Sequence, residues 1–182
     1  MKLLGLGDSV MDAYLFQDLW YPGGNAVNTA VLARRAGAQQ TGYLGLLADD
    51  APGLHFNLSH SGGLALCGVG EAPLGVDVER IRPRRAGLER YVLSEEEFAW
   101  FQSRGGDWGS LYTLWTLKEA KVKCLGTGLR QAPRTIQVPL LEPGQTGERD
   151  GLRFGAYAGP DWRAAVCTAG EEPLPERVWM GM

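Results

Sequence analysis

Two carboxylates stand two residues apart in the segment "PLGVDVERIRP", at Asp77 and Glu79. Side chains at this spacing on a β-strand point to the same face of the sheet, so the two carboxylates would lie side by side. They would repel each other unless a cation lay between them, and Mg²⁺ prefers oxygen ligands, often completed by water and phosphate. The pair therefore indicates either a Mg²⁺ site or an exposed acidic edge balanced by Arg80 and Arg82.

The segment "WTLKEAKVK" supplies a second set of charged groups on a predicted helix. Trp115, Glu119 and Lys123 follow each other at intervals of four, and Lys118 lies beside them, so one helical face carries a ring, a carboxylate and one or two ammonium groups. Glu119 could serve as a third metal ligand or as a base, with Lys123 as a point charge facing a phosphate. Alternatively, Glu119 and Lys123 form an ordinary solvated ion pair.

The segment "NLSHSGG" places His60, one of two histidines in the chain, between two serines. A lone histidine is more often structural. Next to Ser59 and near a phosphate, however, its imidazole could donate a hydrogen bond.

The elements that would position these groups follow from hydrophobic periodicity and capping signals. Ser94 with Glu97 forms a capping box for a helix over 95–103, and a longer helix begins at 108 and ends at Gly126. Strands are predicted over 64–69, 74–78, 135–138, 152–157, 162–168 and 177–180. The first fifty residues are predicted as strands over 2–8, 10–16 and 39–48, with a helix over 26–37 before the last.

Composition restricts the class of protein. The chain has 182 residues, 45% of them hydrophobic, and a net charge of −3, which fits one domain or two small ones and argues against a nucleic-acid binder. It contains no apolar run near the roughly eighteen residues of a membrane span, and Asp8 and Asp12 interrupt the apolar start. Its three cysteines, Cys67, Cys124 and Cys167, fit free thiols in a reducing cytosol, so we expect a cytoplasmic protein without membrane partners.

Taken in order, "NLSHS", "GVDVE" and "WTLKEAKVK" resemble the three signatures of the surfactin-type 4′-phosphopantetheinyl transferases. The resemblance covers about residues 54–170. It implies an α+β fold over 53–182, in which an antiparallel sheet packs with a long helix. It also implies transfer of 4′-phosphopantetheine from coenzyme A, as co-substrate, to a serine of an acyl or peptidyl carrier protein.

The resemblance also implies roles for individual residues. Asp77, Glu79 and Glu119 match the family's Mg²⁺-binding acids, and Glu119 is also at the position of the proposed base. Lys123 matches the lysine that contacts the pyrophosphate. The remaining matches are Ser59 and His60, which correspond to the pair that contacts coenzyme A. An arginine-rich run after these acids could recruit an acidic carrier protein or form a solvated loop: Arg80, Arg82, Arg84, Arg85 and Arg90.

The first fifty residues resemble a different family. "MKLLGLGDSVMDAY", "YPGGNAVNTAVLARRAGA" and "GYLGLLADD" are similar to the opening of ribokinase-like carbohydrate kinases, of the fructoselysine kinase kind. This implies a short α/β fragment over 1–52, with Asp12 and 23–25 lining a sugar pocket. The family's later Gly-x-Gly-Asp segment has no counterpart, so we do not expect kinase activity.

The chain is thus expected to be a fusion of a truncated kinase-like fragment with a transferase domain. Loss of the transferase's usual first half would impair transfer, and it would leave an apolar face near 64–69 that favours a homo-oligomer. Two other functions remain open. One is a non-catalytic module that binds coenzyme A or a carrier protein, and the other is a sugar-binding fragment that uses Asp12 and Asn25.

Overall fold

A computed structural model describes residues 55–128 and 131–178, together with the backbone of four short strands in the first 44 residues. The chain divides into two compact units, Met1–Gly53 and Leu54–Met182. Each unit is described by itself.

The N-terminal unit contains two pairs of short strands. Strand β1 (Lys2–Leu6) pairs in parallel with β4 (Gln40–Leu44), and β2 (Val10–Tyr14) pairs antiparallel with β3 (Leu19–Gly23). The three predicted strands are confirmed in shorter form, and β3 is an additional strand. The predicted helix over 26–37, Asn25 and the side chain of Asp12 lie outside the described residues.

The C-terminal unit is a mixed α+β structure, as predicted. Its helices and strands are β5 (His55–Ser61), β6 (Leu64–Gly70), β7 (Leu74–Arg80), α1 (Leu88–Val92), α2 (Glu95–Ser103), α3 (Trp108–Leu125), a 3₁₀ turn (Pro133–Thr135), β8 (Thr146–Arg149), β9 (Leu152–Gly159) and β10 (Trp162–Thr168). Strands β7, β10, β9 and β8 form an antiparallel sheet in that order, and β5 and β6 form a separate hairpin. Strand β5, helix α1 and strand β8 were not predicted.

Alternate residues of β7 face two different cores. Gly75 faces α3, where a Cβ atom would lie 2.1 Å from the backbone oxygen of Ala120, so only glycine permits this approach. Val76 and Val78 face the other way and pack with Leu64 and other residues of the hairpin. The sheet therefore lies between α3 on one face and the hairpin on the other.

The helix boundaries follow the capping signals in the sequence. The Ser94 hydroxyl accepts a hydrogen bond from the Glu97 N–H at 3.3 Å, and a Glu97 carboxylate oxygen accepts one from the Ser94 N–H at 2.7 Å. Helix α3 begins after Asp107, whose carboxylate accepts from the Ser110 N–H, and ends at Gly126 with φ of 64°. Both predicted helices are confirmed. No helix in the described part of the chain is both long and apolar enough to cross a membrane.

The predicted strand over 135–138 is wrong. This segment has only the 3₁₀ turn and irregular backbone, because side chains take the carbonyl oxygens that a neighbouring strand would use. Lys118 Nζ donates to the Ile136 carbonyl and Lys121 Nζ to the Gln137 carbonyl. Within the predicted strand over 177–180, residues 177–178 are irregular as well, and the others lie outside the described residues.

A buried ion pair joins the two long helices. Lys118 and Glu97 have side chains only 1% and 2% exposed, and Lys118 Nζ lies 2.7 Å from a Glu97 carboxylate oxygen. The same ammonium group donates to the carbonyls of Pro133 and Ile136, so its three protons all have acceptors. Burial lowers the pKa of Lys118, because it penalises the charged form, and the hydrogen bond to Glu97 opposes that shift.

Replacing Glu97 tests whether this pair holds the helices together. Glu97→Gln leaves the Lys118 ammonium buried without its counter-ion, and we expect the free energy of unfolding to fall by about 3–5 kcal/mol. Urea denaturation of the full chain, followed by circular dichroism, measures the change. Glu142→Gln is the matched control, because Glu142 pairs with Arg104 at the surface and its loss should cost about 0–1 kcal/mol. Equal shifts in the two variants would contradict a stabilising role for the buried pair.

Candidate active site

Strand β7 carries Asp77 and Glu79 on the face that packs toward α3, as the spacing predicts. Asp77 is 5% exposed and lies opposite Ala165 in the sheet, whereas Glu79 is half-buried near the end of the strand. Asp77 is therefore a carboxylate in the interior, where its charge must be balanced by hydrogen bonds or by a cation.

Lys123 of α3 supplies part of that balance. Its Nζ atom donates to Asp77 Oδ1 at 2.8 Å and to the Val76 carbonyl at 3.0 Å. The Lys123 side chain is 26% exposed, so it is only partly buried. The alternative of a solvated pair between Glu119 and Lys123 is not what the structure shows, since Lys123 pairs with Asp77 of the sheet.

Glu119 lies one turn before Lys123 on the same helix face. Burial raises the pKa of Glu119, the negative charges of Asp77 and Glu79 raise it further, and the positive charge of Lys123 opposes these effects. The three acids predicted to act together therefore interact electrostatically in the folded chain.

Two carboxylate oxygens of this group lack hydrogen-bond partners among the described residues. Asp77 Oδ2 and Glu119 Oε1 are both buried and accept no hydrogen bond there. A buried oxygen without a donor is costly, and a divalent cation is the kind of group that would satisfy both. The donor set, all carboxylate oxygen, suits Mg²⁺ better than a softer metal.

The acids do not form a ready-made cage. In residues 55–128 and 131–178, no three His, Cys, Asp or Glu side chains converge closely enough to hold a metal ion as they stand. Mg²⁺ commonly binds through one or two carboxylates, with water and phosphate as further ligands. The geometry is therefore compatible with Mg²⁺ bound in this way.

Strand β5 separates the two residues of the Ser-His motif, since neighbours on a strand point to opposite faces. Ser59 is buried, donates to Asp77 Oδ1 at 2.8 Å and accepts from the Val78 N–H at 3.2 Å. His60 is exposed on the other face. The structure thus brings Ser59, but not His60, to the acids. The role of both in binding coenzyme A stays a prediction.

An apolar cavity of about 380 Å³ lies beside Glu79. Its wall includes Tyr112 and Trp115 of α3, and the guanidinium groups of Arg84 and Arg85 contribute to its lining. The Tyr112 hydroxyl accepts a hydrogen bond from Arg84 Nε at 2.9 Å. Sequence reasoning missed Tyr112, although its spacing of three from Trp115 on the predicted helix could have indicated a shared face.

Comparisons with known proteins bear on the C-terminal unit. Residues 73–171 match a family model described as the 4′-phosphopantetheinyl transferase superfamily. The 4′-phosphopantetheinyl transferase Sfp of Bacillus subtilis (strain 168) is 30% identical over 139 residues, which cover 72% of this chain and 62% of that protein. A second 4′-phosphopantetheinyl transferase of Bacillus subtilis is 33% identical over 126 residues, 65% of this chain and 56% of the relative. The chain therefore matches somewhat more than half the length of these relatives.

Another similarity concerns the N-terminal part of the chain. Fructosamine kinase FrlD of Bacillus subtilis (strain 168) is 47% identical over 55 residues, which are 30% of this chain and 19% of the kinase. This is the kind of kinase that the opening segments resemble. It covers too little of the kinase to establish a kinase fold or activity.

The raised pKa of Glu119 predicts a dependence of stability on pH. Between the ordinary value of 4.5 and the raised pKa, the folded chain holds more protons than the unfolded chain, so stability falls as pH rises through that range. Glu119→Gln removes the titrating group and with it this pH-dependent loss of stability. In buffer without divalent cations we expect its Tm to exceed that of the unaltered chain at neutral pH, with a smaller gain toward pH about 5. Glu71→Gln, at an exposed position, should show no such trend. A gain independent of pH would contradict the assignment to Glu119.

Proposed function

Because the chain belongs to the 4′-phosphopantetheinyl transferase superfamily, we propose that it transfers 4′-phosphopantetheine from coenzyme A to a serine of an acyl or peptidyl carrier protein. The observation that carries the proposal is a pair of buried oxygens, Asp77 Oδ2 and Glu119 Oε1, that accept no hydrogen bond from the described residues. Lys123 donates to the other carboxylate oxygen of Asp77. In such a cluster the acids can bind a cation, and the cation and the lysine can together bind a pyrophosphate.

Asp77, Glu79 and Glu119 are the proposed ligands for Mg²⁺. When bound, Mg²⁺ would neutralise negative charge on the pyrophosphate. The two buried oxygens that accept no hydrogen bond within the described residues support this assignment. So does the raised pKa of Glu119, which burial and the negative charges of Asp77 and Glu79 cause together. The buried position of Asp77 supports it too, because the interior strengthens its attraction for a cation.

The proposed chemistry uses Glu119 as the proton acceptor. The serine oxygen of the carrier protein attacks the phosphorus next to the pantetheine, and the bond from that phosphorus to the bridging oxygen breaks. The serine proton moves to the Glu119 carboxylate, and 3′,5′-adenosine bisphosphate leaves. Glu119 is at the position of the proposed base in the family that the chain resembles, which supports this role.

Lys123 is proposed to stabilise negative charge on the pyrophosphate as its bridging bond breaks. Its ammonium group already lies at Asp77 and its side chain is only partly buried, so it can turn toward a phosphate with little rearrangement. A lysine acts here as a compact point charge. Ser59 and His60 are the proposed contacts to coenzyme A. To contact coenzyme A through its hydroxyl proton, Ser59 would have to give up the hydrogen bond that it donates to Asp77.

The carrier protein is proposed to approach near the cavity beside Glu79. Exposed arginines after β7 would attract an acidic partner, with Arg84 and Arg85 nearest the cavity. The homo-oligomer remains a prediction. On the outward face of the hairpin, Leu58 and Val69 are 37% and 48% exposed, which is compatible with a further contact.

The join between two unrelated segments is part of the proposal. The chain divides at Gly53, and a kinase-like similarity precedes a transferase similarity, which supports a fusion. An impaired activity of the fused chain is an expectation that the experiment below measures.

A second function is a non-catalytic module that binds coenzyme A or a carrier protein. The ion pair between Lys123 and Asp77 favours it, because the lysine already neutralises the most buried acid of the site. This module would bind without transferring.

Intact-mass analysis of an apo carrier protein tests the transfer. With this chain, coenzyme A and Mg²⁺, we expect the carrier protein to gain one phosphopantetheine unit. Glu119→Gln should slow that gain by about 10²-fold or more, because the base is lost. Glu71→Gln is the control, since Glu71 is an exposed residue outside the site.

The outcomes separate the two functions. No gain with several apo carrier proteins, while calorimetry still detects coenzyme A binding, would exclude the transferase and favour the module. A gain that Glu119→Gln leaves unchanged would contradict the role of Glu119 as base.

A further inference from the structure

Strand β5 meets the outer edge of β7 through side chains. Three polar side chains alternate along β5, and each accepts a hydrogen bond from a backbone N–H of β7: Asn57 Oδ1 from Val76 at 2.9 Å, Ser59 Oγ from Val78 at 3.2 Å and Ser61 Oγ from Arg80 at 3.3 Å. Alternate N–H groups of an edge strand point away from its sheet and need acceptors. The side chains of β5 fill this role where a neighbouring strand would supply carbonyls.

The two serines also reach the acids. Ser61 Oγ donates to Glu79 Oε2 at 2.6 Å, and Ser59 Oγ donates to Asp77 Oδ1 at 2.8 Å. A hydroxyl can accept from the backbone and donate to a carboxylate at once. Each serine thereby ties one acid side chain to the N–H of the residue that follows it.

Asn57 differs from the serines in this respect. Its amide oxygen accepts from the same edge of β7, but in the described part of the chain its side chain makes no hydrogen bond to a carboxylate. The three positions therefore separate two roles, the attachment of β5 and the orientation of the acids.

These contacts determine which carboxylate oxygens of Asp77 and Glu79 remain available to a cation. Asp77 Oδ1 takes the hydrogen bonds from Ser59 and Lys123, and Asp77 Oδ2 is left buried and unpartnered within the described residues. Glu79 Oε2 takes the bond from Ser61, which restrains a side chain that is only half-buried. Hydrogen bonds of this kind orient metal ligands and change metal affinity when they are removed.

We infer that Ser61 and, until coenzyme A binds, Ser59 are positioning residues, which hold Glu79 and Asp77 in the orientation that binds the cation. This inference rests on the proposed function, since it assigns the acids to Mg²⁺. It gives Ser61, the second serine of the motif, a role at the acids, whereas the family resemblance implied no role for this residue.

Ser61→Ala tests the inference most directly, since Ser61 has no predicted role in binding coenzyme A. Calorimetry of the full chain with MgCl₂ alone measures cation affinity without any catalysis. We expect Ser61→Ala to raise the Kd for Mg²⁺ by about 10-fold or more. Ser61→Thr, which keeps the hydroxyl, should restore most of that affinity.

Asn57→Ala is the matched control. It removes an attachment of β5 to β7 but no contact to an acid, so its Tm should fall by an amount similar to that of Ser61→Ala, with the Kd for Mg²⁺ unchanged. Equal changes in Kd for the two variants would show that only the attachment of β5 matters and would overturn the inference.

Two further outcomes separate this inference from the proposed function. If the unaltered chain binds Mg²⁺ and Ser61→Ala binds it equally well, the positioning role is overturned and the metal site stands. If the unaltered chain binds no Mg²⁺, the metal site in the proposed function is overturned, and the positioning role with it.

Discussion

The close packing of helix α3 on strand β7 determines where the charged groups of the site meet. At Gly75 a Cβ atom would lie 2.1 Å from the Ala120 oxygen and 2.4 Å from the Cys124 nitrogen, so the two backbones are nearly in contact. This approach brings Lys123 within 2.8 Å of Asp77. With a larger residue at 75, the helix would have to move away, and the acids of the strand and the helix would separate.

Adjacent residues of α3 serve opposite sides of the molecule. Lys118 points into the interior and binds Glu97 and the backbone near Ile136, whereas Glu119 faces the acids of β7. Successive residues of a helix are separated by about 100°, so one turn can hold both a buried structural lysine and a carboxylate of the candidate site. The buried pair of Lys118 and Glu97 thus holds one side of α3 in place. This restrains the other side of the helix, which carries Glu119.

The site is a local excess of negative charge in the interior, partly balanced by one lysine and two serine hydroxyls. Serine is well suited to this place because a hydroxyl can satisfy an edge N–H and a carboxylate together. Ser59 and Ser61 do both, so the attachment of β5 and the orientation of Asp77 and Glu79 are the same structural event. Fold and site are inseparable at this edge of the sheet.

The sequence by itself determined the features that depend on near neighbours. The capping box at Ser94, the end of α3 at Gly126 and the common face of Asp77 and Glu79 were all predicted correctly, because each depends on residues within a few positions. The order of its motifs also indicated the family. Only the tertiary structure decided which groups meet across the chain. The irregular backbone of 135–138 depends on lysine side chains of α3, and the partner of Lys123 lies 46 positions away. Local propensity contains no information on contacts at such separations, since they arise from packing of whole elements.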